Sequence, residues 1–419
     1  MLPAASTRSA VAHLERIAAR CRTGTTVAEA MEGAQKRQRD ETGARENGGS
    51  GTACKKGCAD GGSKMVQLHT RLTHPESVWQ LRVPLVSAPM AGAAGGALAA
   101  AACQAGALGF IAVGHGRDLA ALREQVALFR ATAPPDAPLA LGFIGYSSCA
   151  PNGGVLAEVL AEHVPAVVQF FAPAVVDGGT NIRAAKAAGA LVLAQVGSVA
   201  EARQAIELGV DGVIAQGREA GGHGLRSELG TGTLPLAAAV VNEAAQSPGK
   251  PVVLAAGGIA DGRGLAAALA LGCDGAILGT RLWASREAMG NEKLKAQLVT
   301  ATGDDVIRTR VFDTLQNATS STPWPEPFDS VGALKNDTTM RWHDDQHGLE
   351  VAVVDTESDV LQKFTAGQLT ADVRVCTVLA GEGVGLVGAI EGAEDIVRRV
   401  ETEAVSTVRG MQGMLTGCM

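Results

Sequence analysis

Aromatic residues are scarce in this sequence, and positive charge is not in excess. Phe, Tyr and Trp together make up 3% of 419 residues, whereas glycine alone occupies 53 positions. The formal net charge of -7 excludes a broad basic face for a phosphate backbone, so we expect no nucleic-acid partner. Uninterrupted apolar runs of membrane-spanning length are also missing, so we expect no membrane partner.

The eight cysteines include no CxxC pair. Cys54 and Cys58 lie closest together, but no second pair of ligands follows at a spacing that zinc uses, so we expect no metal site. Reduced thiols are typical of a cytoplasmic protein. Residues 1–22 are basic enough to leave a mitochondrial transit peptide open as an alternative. Because residues 32–63 carry almost no apolar side chains, we expect residues 1–63 to form a disordered leader.

Eight short apolar runs alternate with Ala-rich helical stretches from Leu81 onward. Runs without polar alternation are typical of strands buried on both faces of a parallel sheet. Two of the predicted helices span residues 118–132 and 198–210. Ser198 and Glu201 form a capping-box pattern at the start of the second one. The predicted strands are Leu85–Met90, Leu108–Gly114, Leu139–Gly145, Ala166–Phe171, Leu191–Gly197, Gly212–Gly217, Val252–Gly258 and Ala276–Thr280.

This rhythm predicts an α/β fold, a (βα)8 TIM barrel over residues 64–290. An open, doubly wound sheet is the structural alternative. Residues 291–356 break the rhythm and are interpreted as a small, mostly helical insertion after the eighth strand. Residues 357–419 hold two further helical patterns, at 357–368 and 391–408, which we expect to return to the barrel wall.

The carboxyl ends of the barrel strands are where such folds place their sites. Glycine turns follow the seventh and eighth strands at Gly257–Gly258 and Gly279–Thr280, and they expose backbone N–H groups that can bind phosphate. The alternative is that these glycines only permit tight turns.

His223 is the candidate catalytic base, because it lies in a glycine-rich loop after the sixth strand and imidazole accepts protons near neutral pH. A structural or solvent-facing histidine is the plainer interpretation. His115, after the second strand, is a weaker rival.

A GxGxxG pattern at 383–388 does not predict a dinucleotide site, since no later strand follows it to present a ribose-binding carboxylate. We expect a loop that reaches back toward the barrel mouth.

At these positions the chain resembles the nitronate monooxygenase family, formerly called 2-nitropropane dioxygenases, and its fungal and plant branch in particular. The segments that carry the resemblance are VPLVSAPMAG (83–92), VLAQVGSVAEA (192–202), VIAQGREAGGHG (213–224), PVVLAAGGIADGRG (251–264), AILGTRLWAS (276–285) and VLAGEGVGL (378–386). Two positions depart from the commonest family pattern: Gly142 stands where many members have Asn, and Gln169 lies where relatives often have Ser or His nearby.

The resemblance implies an FMN cofactor and His223 as the base that deprotonates a nitroalkane or orients a nitronate. The implied reaction uses dioxygen and gives a carbonyl compound and nitrite; a homodimer is left open. Together with the strand ends, the resemblance gives a cofactor-binding set of Ala88, Pro89, Met90, Gly142, Gln195, Gln216, Gly217, Gly221, Gly222, Gly257, Gly258, Leu278, Gly279 and Thr280.

Two other functions stay open from the sequence. The same barrel and cofactor suit an FMN-dependent enoyl reductase or an NAD(P)H:quinone reductase. A flavin-free, phosphate-binding barrel without catalysis is the alternative of another class.

Overall fold

The computed structural model describes residues 67–115, 118–146, 155–172 and 179–414. The expectations for residues 1–63 lie outside these ranges. Each of the eight predicted runs contains a strand, and three further strands accompany them. The strands are β1 (Leu85–Ser87), β2 (Phe110–Gly114), β3 (Ala140–Ile144), β4 (Val167–Phe171), β5 (Leu191–Val196), β6 (Gly212–Gln216), β7 (Gly222–Gly224), β8 (Val252–Ala256), β9 (Gly275–Leu278), β10 (Val306–Thr309) and β11 (Ser330–Leu334).

Helices follow most barrel strands and also occupy the insertion. Within the described ranges they are α1 (Gly96–Gln104), α2 (Leu119–Thr132), α3 (Leu156–His163), α4 (Thr180–Ala187), α5 (Val199–Glu207), α6 (Thr233–Gln246), α7 (Gly262–Ala270), α8 (Thr280–Trp283), α9 (Glu292–Thr300), α10 (Val311–Asn317), α11 (Asp337–Trp342), α12 (Gln346–Ala352), α13 (Asp359–Thr370) and α14 (Ala393–Gln412).

The parallel strands form a barrel and not an open sheet. Their order is β1-β9-β8-β6-β5-β4-β3-β2. The two ends of this order meet where Val86 bridges Leu108 in parallel and Ser87 N–H donates to the Leu108 carbonyl at 2.8 Å. The predicted TIM-barrel class is therefore confirmed.

Two apolar layers explain why the barrel strands are continuously hydrophobic. Leu193, Ile214 and Leu254 pack with one another in the barrel interior. Their strand neighbours, such as Val213 and Val253, belong to the outer layer, which packs against the helices. Both faces of each strand are buried, so polar alternation would leave unsatisfied groups in one layer or the other.

Helix starts follow the local capping signals. The Ser198 side chain accepts a hydrogen bond from Glu201 N–H, which confirms the predicted start of α5. Asp118 caps α2 in the same way through Ala121 N–H. Side-chain oxygens at these positions satisfy N–H groups that have no partner inside the helix.

The insertion contains strands as well as helices. β10 and β11 form a three-stranded antiparallel sheet with β7, the short strand that carries His223. These strands were not predicted, because their few residues pair with a distant segment and carry no local turn signal. The insertion is thereby joined directly to the loop that leaves the sixth barrel strand.

Only one of the two C-terminal helices returns to the barrel wall. α14 buries Ala393, Ile396, Val397 and Val400 in the outer layer of the barrel core, as expected. α13 instead packs its Leu361 and Phe364 with Phe312 and Leu315 of the insertion. The expectation for 357–368 was therefore wrong, because its apolar face matches the insertion's own small core.

The described residues hold no helix that is both long and apolar enough to cross a membrane. In the same ranges, His, Cys, Asp and Glu side chains form no group of three or more that could hold a metal ion.

Candidate active site at the mouth of the barrel

A cavity of about 540 Å³ lies at the carboxyl ends of the barrel strands. Its volume falls in the range of cofactor and small-molecule sites. Among the described lining residues none is Asp, Glu, Lys or Arg, so the walls are formed by backbone, apolar side chains, amides, two threonines and two histidines. A phosphate group would meet no carboxylate there.

Most residues predicted for the site line this cavity. The lining members are Ala88, Pro89, Met90, Gly142, Gln195, Gln216, Gly221, Gly222, His223, Gly257, Gly258, Gly279 and Thr280. Gly217 and Leu278 do not line it. Gly217 lies against Thr233, and Leu278 is fully buried in the layer between barrel and helices.

One wall of the cavity is made of backbone, after β8 and β9. Gly257 and Gly258 have φ of +115° and +70°, a region that favours glycine. The second turn, after β9, leads directly into α8, which begins at Thr280. No hydrogen bond within the described residues uses the backbone N–H of Gly258, Gly279 or Thr280. These donors are available for an anionic ligand.

The segment around the GxGxxG pattern packs against this backbone wall. Residues Glu382–Leu386 form a 3-10 helix, and Gly383 lines the cavity. Gly381 N–H donates to Thr280 Oγ1 at 3.0 Å, and Glu382 N–H donates to the Glu219 carbonyl at 2.8 Å. The expected loop back to the barrel mouth is confirmed.

Another part of the cavity wall carries His223, which is held by the pairing of its strand and by a hydrogen bond to its carbonyl. In the antiparallel pairing of β7 with β11, His223 lies opposite Val331. Gln216 Nε2 donates to the His223 carbonyl at 2.9 Å. The imidazole lines the cavity with its side chain 17% exposed, so His223 is neither buried core nor freely solvated.

Asp313 of α10 is the hydrogen-bond partner of this imidazole. His223 Nε2 lies 2.7 Å from Asp313 Oδ1, and the Asp313 side chain is only 2% exposed. A carboxylate can only accept, so Nε2 carries the hydrogen, and in the neutral imidazole Nδ1 then keeps its lone pair. This is the arrangement in which an orienting carboxylate prepares a histidine to accept a proton.

Trp324 covers one face of the imidazole. The two rings stack with centroids 3.5 Å apart and planes 14° from parallel. Tyr146, Phe171 and His115 meet the edges of the same indole at centroid distances of 5.3, 5.9 and 5.5 Å. The aromatic rings of the barrel mouth therefore gather around Trp324, which in turn covers His223.

The backbone of Trp324 is held by one amide side chain. Trp324 N–H donates to Asn317 Oδ1 at 2.8 Å, and Asn317 Nδ2 donates to the Trp324 carbonyl at 3.2 Å. Nearby, Arg226 binds Asp329 through two hydrogen bonds of 2.7 Å. The segment that presents the indole is therefore tied both to α10 and to the loop after β7.

Arg308 organises the loop that leads to His223. Its guanidinium donates to the carbonyls of Ala220, Arg218 and Ser330 at 2.6, 3.1 and 3.2 Å, and to that of Gly222 at 3.4 Å.

Burial lowers the pKa of Arg308 to about 10, although the carboxylates of Glu382, Asp313 and Glu219 act in the opposite direction.

These observations fit the expected flavin. The cavity is large enough, its backbone wall offers unpaired N–H donors for a phosphate, and its floor carries the amides of Gln169, Gln195 and Gln216 for a polar ring edge. The residues that could hold the group thus belong to the barrel, and the histidine belongs to the strand that pairs with the insertion.

Sequence reasoning missed Asp313, Trp324 and Arg308, all from the insertion. The general rule that a base needs an orienting partner predicts some acceptor near His223. It does not say which one, because Asp313 is 90 residues away along the chain and its approach depends on the β7–β11 pairing.

Comparisons with known proteins identify the family and support the barrel fold. The model of the nitronate monooxygenase family matches residues 153–401. A nitronate monooxygenase of Neurospora crassa is 30% identical over 353 residues, which cover 78% of this chain and 90% of that protein. FabK of Thermotoga maritima superimposes with a TM-score of 0.65 at 27% identity, over 83% of this chain and 100% of that one. A nitroalkane oxidase of Streptomyces ansochromogenes gives a TM-score of 0.63 at 25% identity, over 80% and 99% of the two chains. The chain therefore belongs to the nitronate monooxygenase family.

Proposed function

We propose that this protein oxidises alkyl nitronates with dioxygen, using FMN, and releases a carbonyl compound and nitrite. The family assignment supports the reaction class. The observation that carries the proposal is the His223–Asp313 pair at a cavity that also has a backbone wall suited to a phosphate.

The barrel residues would hold the cofactor. Gly258, Gly279 and Thr280 offer the unpaired N–H groups for its phosphate, and Ala88–Met90 with Gln216 line the space for its ring. When bound, FMN supplies the one-electron chemistry between a nitronate and dioxygen, which no side chain of the cavity can supply.

His223 handles the proton. With Nε2–H donated to Asp313, Nδ1 is free to take the acidic C–H proton of a nitroalkane, or to hold the conjugate nitronate when that is the substrate. As the imidazole gains charge, Asp313 on one side and the Trp324 face on the other stabilise it.

The surrounding walls favour a small substrate with little charge. Trp324, Phe171 and Val331 line the cavity near His223, and they exclude water from the reacting carbon. Within the described lining no Lys or Arg is present to pair with a second anionic group on the substrate.

Oxygen uptake with nitroethane and with its conjugate base, ethyl nitronate, tests the proposal on wild type and His223→Asn. We expect nitroethane turnover to fall roughly 100-fold or more, because the general base is lost. Nitronate turnover should fall far less, since the nitronate needs no deprotonation. His347→Asn, at an exposed histidine of α12, is the matched control.

Three results would contradict the proposal. Equal nitroethane turnover in wild type and His223→Asn would remove His223 as the base. Anaerobic reduction of the bound flavin by NADH or NADPH, without nitronate oxidation, would favour a reductase. A colourless protein that takes up no FMN would leave only a barrel without flavin chemistry.

A further inference from the structure

Gln169 on β4 carries a buried polar atom without a partner. Its side chain lines the cavity floor and is 1% exposed. Gln169 Nε2 donates to Gln195 Oε1 at 2.7 Å, but Gln169 Oε1 has no hydrogen-bond partner within the described residues. A buried acceptor left in this state is costly, so its presence in a ligand cavity points to a donor on the ligand.

The neighbouring strand explains why this amide reaches the floor. Gly142 of β3 pairs with Gln169 across the sheet. A Cβ built on Gly142 would lie 2.3 Å from Pro89 Cβ and 3.1 Å from Gln169 Oε1. Glycine at 142 therefore leaves room for the Gln169 amide, and a side chain at 142 would compete with it and with Pro89.

The pair of amides presents a specific pattern to a ligand. Gln169 Oε1 is an acceptor, and Gln195 Nε2 is a donor that makes no hydrogen bond within the described part of the chain. An imide edge, in which an N–H lies between two carbonyl oxygens, is complementary to this pattern. Nitronates have no N–H or O–H to offer Oε1, so the cofactor and not the substrate matches it.

We propose that Gln169, together with Gln195, binds the imide edge of the flavin pyrimidine ring, with Gln169 Oε1 accepting its N–H. This inference rests on the proposed flavin cofactor. Gly142 on the neighbouring strand leaves the space that the Gln169 amide occupies.

Equilibrium binding of FMN and 3-methyl-FMN to the flavin-free protein tests the proposal, with quenching of flavin fluorescence as the readout. The methyl group removes the imide N–H. We expect wild type to bind 3-methyl-FMN about tenfold more weakly than FMN, a difference of about 1.4 kcal/mol. Gln169→Leu should bind FMN about tenfold more weakly than wild type and should distinguish the two flavins by less than about twofold.

Controls separate this contact from a general loss of structure. Gln204→Leu changes an exposed glutamine on α5 and should keep the wild-type preference for FMN. Gln169→Met, which fills similar space without an acceptor, should behave as Gln169→Leu does. The wild-type comparison of the two flavins needs no variant and stays decisive if both substitutions fail to fold.

The outcomes separate the inference from the proposed function. If wild type binds FMN and 3-methyl-FMN equally, the imide contact is wrong while the cofactor stands. If Gln169→Leu keeps the full preference for FMN, another group accepts the N–H and Gln169 is not the contact. If neither flavin binds to wild type, the proposed cofactor fails and this inference with it.

Discussion

The two walls of the cavity are built by different means. The wall after β8 and β9 offers backbone N–H groups on glycine turns, and it belongs to the barrel. The wall around His223 offers side chains, and its partners Asp313 and Trp324 come from the insertion. Backbone donors suit a phosphate that is always the same, whereas side chains can be exchanged to set the chemistry and the substrate. In the proposed function, the barrel thus supplies cofactor binding and the insertion supplies proton transfer.

Asp313→Asn should have the largest effect on catalysis if this division holds. An amide can donate to Nε2 and so favour the tautomer in which Nδ1 carries the hydrogen, which removes the base. We expect nitroethane kcat to fall roughly 100-fold, with FMN affinity and nitronate turnover changed little. Oxygen uptake and a flavin titration check this, with Asp344→Asn, at an exposed position, as control. Loss of FMN binding in Asp313→Asn would break the division between the walls.

Gly258→Ala probes the opposite wall. A Cβ at this position would lie 3.6 Å from Glu219 Cβ, so space is available and the cost arises from φ of +70°. Alanine at this φ carries roughly 1–2 kcal/mol of backbone strain, which the turn relieves by moving. Because the moved turn fits the cofactor less well, we expect the FMN Kd to rise about 5- to 30-fold.

The helical glycine Gly410, with nothing near its Cβ position, gives the matched control Gly410→Ala. Its FMN affinity should equal that of wild type. If Gly258→Ala lowers nitroethane kcat in fully FMN-loaded enzyme as strongly as Asp313→Asn does, the two walls do not have separate roles in cofactor binding and proton transfer.

Trp324→Leu should reduce kcat/KM for nitroethane by about fivefold, because the protonated imidazole loses its stacked ring. Trp324→Phe keeps an aromatic face and should recover most of that loss. Steady-state kinetics at saturating dioxygen measure both variants. An unchanged kcat/KM in Trp324→Leu would mean that the indole only fills space.

Leu278→Ile should have the smallest effect on FMN affinity. It tests whether the backbone wall that binds the cofactor extends to Leu278. Leu278 was predicted to bind the cofactor, yet its side chain lies in the outer apolar layer, away from the cavity. We expect the FMN Kd to change by less than about twofold and stability to fall by less than about 1.5 kcal/mol. A larger change in FMN affinity, measured by titration, would extend the wall to this position.

Sequence patterns predicted the barrel well because their signals are local. Every predicted strand exists, and the first was drawn three residues too long because Ala88–Met90 leave the sheet to line the cavity. Apolar periodicity, glycine turns and capping residues each act within a few positions. The barrel residues of the candidate site could therefore be named before their geometry was known.

The insertion could not be predicted to the same depth. Its contribution depends on pairing across long sequence separations, such as Val331 opposite His223. The segment that carries Trp324 was interpreted only as a Pro-rich turn, since nothing local indicates what an indole will stack on. Gln169 was noted only as a departure, and its unsatisfied oxygen became visible once Gly142 and Gln195 were placed beside it.

The position of α14 has a consequence for the order of folding. A Cβ on Gly262 would lie 2.3 Å from Ala404 N, and Gly262 N–H donates to Glu403 Oε2 at 3.0 Å, so α14 rests directly on α7. Its residues leave the ribosome more than a hundred positions after those of β9. The helix that completes the outer layer of the barrel is therefore synthesised after the insertion. Until α14 is made, the apolar surface that it covers is exposed on the nascent chain, where it can bind chaperones or aggregate.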